Sequence, residues 1–317
     1  MSVYTKESYR SNVPLLDEYL SYIEVNGSGK STVKTYGQLA MRFQDYLSTV
    51  HSIPFTKETI GQITPLMLVE YYHTLFQSNL SVNTRNLYVN MLRSLFGYLK
   101  DVGYVTGDPC APLKIKAIKR EKYEAPPDEQ GTMFTVDEAI KLLSFKSKHN
   151  GLRNRAIIAL ILGTGLRAFE VTELTIGTIR NMKNGMMYCH RKGDIWRYVP
   201  VPQAALDYIA EYLELRGGID QLKDTDPLFI STRGGFMDVR SMQHSINEIQ
   251  KKLGMKTGLH MIRHTAITGV QKSGGVAVAR DVASHANVDV TNKYLHSTAE
   301  ERVKAAADLP WFNPVKA

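Results

Sequence analysis

The feature that most constrains this chain is a break near its middle. Residues 107–131 read GDPCAPLKIKAIKREKYEAPPDEQG, and Pro109, Pro112, Pro126 and Pro127 interrupt any helix and favour extended or turn backbone. A single core does not run through such a stretch, so the chain divides there. A length of 317 residues fits two domains at roughly 100–200 residues each. The expected layout is a helical domain over 1–110, a basic linker over 111–133 and a second domain over 134–317.

Charge is unevenly placed across this break. The net charge is +8, yet residues 1–110 are neutral overall and residues 131–317 carry +7. The linker sets Lys114, Lys116, Lys119, Arg120 and Lys122 around one acidic side chain, Glu121. Such a strap is either charged for solubility or built to cross a nucleic-acid backbone, and both readings stand at this level. Apolar residues make up 43 % and charged residues 22 %, which excludes a disordered tail and a membrane protein. No run reaches the roughly 18 apolar residues of a membrane helix, and the first residues lack a signal-peptide core. Two cysteines, Cys110 and Cys189, form neither a disulfide framework nor a Cys-x-x-Cys pattern. The expectation is a cytoplasmic protein with no membrane partner.

Before the break the periodicity is helical. Leu15, Leu16, Tyr19, Leu20 and Ile23 form one stripe over 12–24; a second helix, with Ser31 as its expected N-cap, carries Tyr36, Leu39, Ala40, Phe43 and Leu47. Pro65 opens a third with Met67, Leu68, Tyr71, Tyr72 and Leu75, and a fourth over 81–100 is expected to bury Leu87, Met91, Leu92, Leu95 and Leu99. Lys30, Lys34, Arg42, Arg85 and Arg93 fall on the polar sides, as solvated surface or as one face against phosphate.

After the break the pattern is mixed. Helices are expected at 135–145, 152–162, 204–215, 238–253, 259–272, 276–285 and 298–307. Strands at 185–190 and 195–201 flank the turn Lys192-Gly193-Asp194, with a further short strand at 228–231. This is a small hairpin among helices, not a long alternation of strand and helix.

The chemistry-bearing residues also follow the break. In Leu259-His260-Met261-Ile262-Arg263-His264-Thr265, helical spacing sets His260, Arg263 and His264 on one broad face and Leu259, Ile262 and Ala266 behind them. That face is either plain surface or a phosphate clamp beside a proton-transfer group. Metal is not expected: the Glu of His-Glu-x-x-His is missing and no neighbouring set completes four ligands. Gly163-Thr164-Gly165-Leu166-Arg167 places an arginine beyond a glycine turn, Lys192 sits at the hairpin tip, and His285 precedes Tyr294 by nine residues. Each alone reads as an ordinary cap, surface or core residue. Together they fit phosphodiester transfer by an attacking phenol.

These blocks, in this order, resemble those of the tyrosine recombinases, the phage-integrase-type site-specific recombinases. The resemblance covers most of the chain. It implies a two-domain, mainly α fold: a helical core-binding domain, then a mixed α/β catalytic domain with a small β-hairpin. By the same resemblance Arg167, Lys192, His260, Arg263, His285 and Tyr294 are the catalytic residues. Tyr294 would form a 3′-phosphotyrosyl bond and release a 5′-hydroxyl. Arg167 and Arg263 would stabilise the negative charge, and Lys192 would protonate the leaving oxygen. His260 would help deprotonate Tyr294, while His285 would hydrogen-bond the phosphate. Glu170 is expected to orient nearby backbone or a basic side chain, without proton transfer. No metal or organic cofactor is implied.

The implied partners are double-stranded DNA with inverted core-type half-sites and three further copies of the chain, forming a homotetramer on two DNA sites through a Holliday junction. An accessory DNA-bending or directionality protein and nucleoid association when bound belong to the same expectation. The residues after Tyr294, with Trp311 and Phe312, are expected to contact a neighbouring subunit, with an intramolecular cap as the alternative. The early start of the first helices leaves little room for a separate arm-site-binding domain. Two departures from the family pattern stand out: Ala168-Phe169-Glu170 in the first arginine block, and Ala283-Ser284-His285 where Leu-Gly-His is common. The alternatives are a type IB topoisomerase-like enzyme and a catalytically silent architectural DNA-binding protein.

Overall fold

The structure is a computed structural model that describes residues 13–111, 133–146, 150–191, 195–283 and 297–313. It divides into two compact units, Met1–Tyr123 and Glu124–Ala317.

Among the described residues the first unit contains four α-helices: α1 (Pro14–Val25), α2 (Lys30–Val50), α3 (Pro65–Gln77) and α4 (Val82–Asp101). Proline at the first helical position opens α1 and α3, where a missing N–H removes no helical hydrogen bond. Thr64 and Ser81 cap α3 and α4, each accepting from the backbone N–H three residues on. The apolar stripes meet around Phe43, whose ring lies 5.0 Å from Tyr71 and 6.2 Å from Phe96. Two expectations need correction. The N-cap of α2 is Gly29, and Ser31 lies inside the helix, its carbonyl accepting from Thr35. Leu87 is 41 % exposed, because Tyr88 turns inward instead and accepts Arg42 Nη1 at 3.0 Å.

The second unit is organised about one helix. Its elements are α5 (Val136–Ser144), α6 (Gly151–Thr164), α7 (Ala168–Thr172), α8 (Ile176–Arg180), β1 (Met186–Arg191), β2 (Ile195–Pro200), α9 (Gln203–Glu214), α10 (Val239–Lys252), α11 (Leu259–Ala283) and α12 (Ala299–Ala307). Every residue of α6 from Ala156 to Thr164 is buried, as expected for a helix apolar on all sides. It packs against α5, α9 and α11. Capping boxes open α5 at Thr135–Glu138 and α12 at Thr298–Glu301. Gly275, at φ +83°, interrupts α11 between the two expected helices, a backbone state that favours glycine.

β1 and β2 pair antiparallel from Met186↔Pro200 to Arg191↔Ile195. Met187, Cys189 and Arg191 point into the unit, while Tyr188, Trp196 and Tyr198 form an exposed aromatic face with rings 4.7–5.4 Å apart. The expected strand at 228–231 does not form. Ile230 makes only an isolated bridge to Phe236, because Gly234 and Gly235 turn the chain at positive φ immediately between them. Beyond α12, Leu309 and Trp311 enter the core of their own chain and lie against Gly269 of α11, where a Cβ would meet both side chains.

Candidate active site

The site is assembled on the turn that ends α6. Gly165 stops the helix at φ +62°, donating its N–H to the Ile161 carbonyl at 2.8 Å. Arg167 follows in extended conformation as the N-cap of α7. Its backbone N–H reaches Glu170 Oε2 at 2.7 Å and its Nη1 reaches Oε1 at 3.2 Å. Glu170 thus orients both backbone and a basic side chain from a fully buried position.

Two further arginines converge on this carboxylate. Arg263, 4 % exposed, donates through Nη1 to the Gly165 carbonyl and through Nη2 to Ala283 at 2.8 Å; its Nη1 stands 3.9 Å from Glu170 Oε2. Arg191 brings Nε to 3.0 Å from Glu170 Oε1, in ion-pair rather than aligned hydrogen-bond geometry, and donates through Nη2 to Val282 at 3.2 Å. Three guanidinium groups against one carboxylate leave a local surplus of two positive charges. Burial, then the neighbouring Arg167, lower the pKa of Arg263 to about 10; the Arg191 charge adds to this and Glu170 opposes it. Arg263 still carries its charge at neutral pH.

His260, Arg263 and His264 share one stretch of α11 but differ in burial. His260 and His264 are exposed, their rings 4.9 Å apart edge to face, whereas Arg263 is drawn inward by Glu170 and two backbone carbonyls. Partial burial lowers the His260 pKa, and His264, Arg263 and Arg167 push in the same direction. Its imidazole is therefore neutral at neutral pH and free to accept a proton. Behind this face Ile262 and Ala266 pack into the core, and Thr265 accepts the Phe134 N–H at 2.8 Å.

Of the six residues singled out from the sequence, Arg167, His260 and Arg263 are thus grouped here. Lys192, His285 and Tyr294 lie outside the described residues. Arg191 was not anticipated. The available signal was strand alternation, which sets it on the inward face with Met187 and Cys189. Among the described residues, no group of three or more His, Cys, Asp or Glu side chains is placed to hold a metal ion, and no helix is long and apolar enough to cross a membrane.

What can such a cluster do? Surplus positive charge held rigid in a partly desolvated site favours an anion that gains charge during reaction, such as a phosphodiester under attack. Arg167, with 24 % of its side chain exposed, is the arginine most open to such a ligand.

Comparison with known proteins gives concordant matches. Residues 132–301 match the Phage integrase family, and residues 16–103 match the Phage integrase, N-terminal SAM-like domain. The tyrosine recombinase XerD of Staphylococcus epidermidis is 25 % identical over 296 residues, covering 89 % of this chain and 93 % of the relative. The tyrosine recombinase XerC of Thermodesulfovibrio yellowstonii is 28 % identical over 251 residues, covering 76 % and 80 %. A lambda integrase (75-356) dimer bound to a COC' core site shares the fold, with TM-score 0.66, 16 % identity and coverage of 91 % and 94 %.

Proposed function

The chain belongs to the phage integrase family of tyrosine recombinases, and from that premise we propose that Tyr294 carries out its strand cleavage, using the cluster around Glu170. The observation that carries this reading is that Arg167, which precedes α7, meets Arg263 and His260 of the distant α11 at one charged site. The chain is a site-specific DNA recombinase; its substrate is duplex DNA carrying inverted half-sites around a crossover region.

In the cleavage step the Tyr294 phenol oxygen attacks the scissile phosphorus. The new P–O bond forms as the bond to the 5′ oxygen breaks. The phenol proton passes to His260, whose lowered pKa leaves its imidazole neutral and able to accept it. The 5′ oxygen takes a proton from Lys192 and leaves as a hydroxyl. Arg167 and Arg263 oppose the charge that develops on the nonbridging oxygens, and His285 adds a hydrogen bond. Attack by a 5′-hydroxyl on the phosphotyrosyl bond reverses these transfers and joins strands without ATP, because the phosphodiester energy is conserved in the covalent link.

Four copies on two duplexes exchange one pair of strands at a time through a Holliday junction. The complex is nucleoid-associated while DNA is bound, and an accessory DNA-bending or directionality protein sets the outcome. The test is strand exchange between two labelled duplexes that carry a selected binding site. Recombinant products support the proposal; relaxation of supercoiled DNA without exchange would replace it by a topoisomerase-like activity.

A further inference from the structure

Arg191 is a buried charge that the reaction scheme above leaves unused. Only 1 % of it is exposed, and it is the largest of the fully buried side chains. Burying a guanidinium without partners is costly, so its contacts say what it is there for. They lie on two different elements. Nε faces Glu170 Oε1 at 3.0 Å, the same oxygen that takes Arg167 Nη1 at 3.2 Å. Nη2 donates to the carbonyl of Val282 in the last turn of α11, next to the Ala283 carbonyl held by Arg263. That helix end is the negative end of its dipole, which favours two cations there.

The main chain of Arg191 is equally placed. It forms the last pair of the hairpin, with Ile195, and Lys192 follows it in sequence. One guanidinium therefore joins the end of β1 to α7 and to the end of α11. A lysine on a flexible four-carbon stem needs a fixed root to deliver a proton to a single oxygen.

Resting on the reading of Lys192 as the general acid, we infer that Arg191 is a positioning residue that fixes the strand end from which Lys192 acts. Arg191 does not touch DNA. Its fork to Glu170 and Val282 holds the end of β1 in register with Arg167 and Arg263, so strand cleavage depends on it through the proton given to the leaving 5′ oxygen.

The test compares two nicked duplexes of the same selected sequence. One has the ordinary bridging 5′ oxygen at the scissile phosphate, the other a bridging 5′ sulfur, which departs as a thiolate without a proton. Full-length protein and the variants Arg191→Met, Arg191→Lys and Lys192→Ala are compared for covalent adduct formation, with DNA binding and circular dichroism measured beside it. The expected result is a loss of about 100-fold for Arg191→Met on the oxygen substrate, in the range a general acid supplies. On the sulfur substrate the same variant returns to near the parent rate, as does Lys192→Ala. Arg191→Lys keeps the charge beside Glu170 but loses the fork, and it shows the same pattern in milder form; should Arg191→Met not fold, this variant carries the comparison.

An equal loss on both substrates, in a folded protein that binds DNA, overturns the inference and leaves Arg191 as a support for Glu170 alone. If Lys192→Ala is itself not rescued by sulfur, the reading of Lys192 as general acid fails, which is a separate result. Rescue of Lys192→Ala without rescue of the Arg191 variants defeats this inference and leaves that reading intact.

Discussion

Arg167 is held by Glu170 at both ends: its backbone N–H meets one carboxylate oxygen at 2.7 Å and its guanidinium meets the other at 3.2 Å. One buried acid thus sets both the turn that presents the arginine and the direction of its side chain. It also faces Arg191 and Arg263, so its removal acts on three cations at once.

Glu170→Ala leaves buried guanidinium charge uncompensated and should destabilise the second unit by about 3–5 kcal/mol. Glu170→Gln preserves the shape and the acceptor for the Arg167 N–H, and should cost less. Urea unfolding followed by circular dichroism measures both. Equal stability of Glu170→Ala and the parent would show that the arginines are compensated elsewhere.

The pH dependence follows from His260. Its folded pKa lies below the ordinary value, mainly through burial, with His264, Arg263 and Arg167 adding to the effect. The neutral, proton-accepting form therefore prevails at neutral pH and is lost only as pH falls through that lowered pKa. Adduct formation should be level around neutrality and decline at a midpoint below the ordinary imidazole range of about 6.5. His264→Ala removes one of the neighbours that lower the pKa and should move this midpoint upward. A midpoint that stays in place in that variant would detach the acid limb from His260.

The tail is tested by packing. A Cβ at Gly269 would collide with the Trp311 ring and come within 2.8 Å of Leu309 Cδ2. Gly269→Ala should therefore destabilise the second unit by about 1–3 kcal/mol, as overpacking does, despite the higher helix propensity of alanine. Thermal unfolding measures this, and an unchanged or raised midpoint would place Trp311 elsewhere in solution.

The two tryptophans give a second check on the fold. Trp196 is 56 % exposed on the hairpin, whereas Trp311 is 6 % exposed. Iodide should quench one component of the emission and spare the other, and Trp196→Phe should remove the accessible one. Uniform quenching would contradict the buried position of Trp311.

Much of this architecture was legible in the chain because its signals are local. Apolar stripes marked α3 and α4, with Pro65 opening α3, and the helices expected at 135–145 and 298–307 fall on α5 and α12, where Thr135 and Thr298 cap within one turn. The five-residue helices α7 and α8 escaped because so short an element shows no full apolar period. Leu228–Ser231 reads as a strand, yet nothing extends its single bridge to Phe236 into a ladder. At the site, His260 and Arg263 look equivalent along a helix. Only tertiary contacts distinguish them, because the carboxylate that draws Arg263 inward arrives from α7 and the carbonyls from Gly165 and Ala283. Arg191 was hidden for the same reason: a charged residue next to a turn reads as surface until its partner is in place.

In the proposed reaction Tyr294 joins itself to DNA under the control of this arginine cluster. The direct measurement uses a nicked duplex, selected by the protein from a randomised pool, in which the cleaved fragment diffuses away and the adduct is trapped for denaturing electrophoresis. The full-length protein should accumulate a covalent 3′-linked complex. Arg167→Ala should form it far more slowly at saturating protein, by about 100-fold or more for a lost charge-stabilising donor. Tyr294→Phe should bind the same duplex and form none. An undiminished adduct in Tyr294→Phe would remove Tyr294 as the nucleophile, and equal rates for Arg167→Ala and the parent at saturation would remove Arg167 from charge stabilisation.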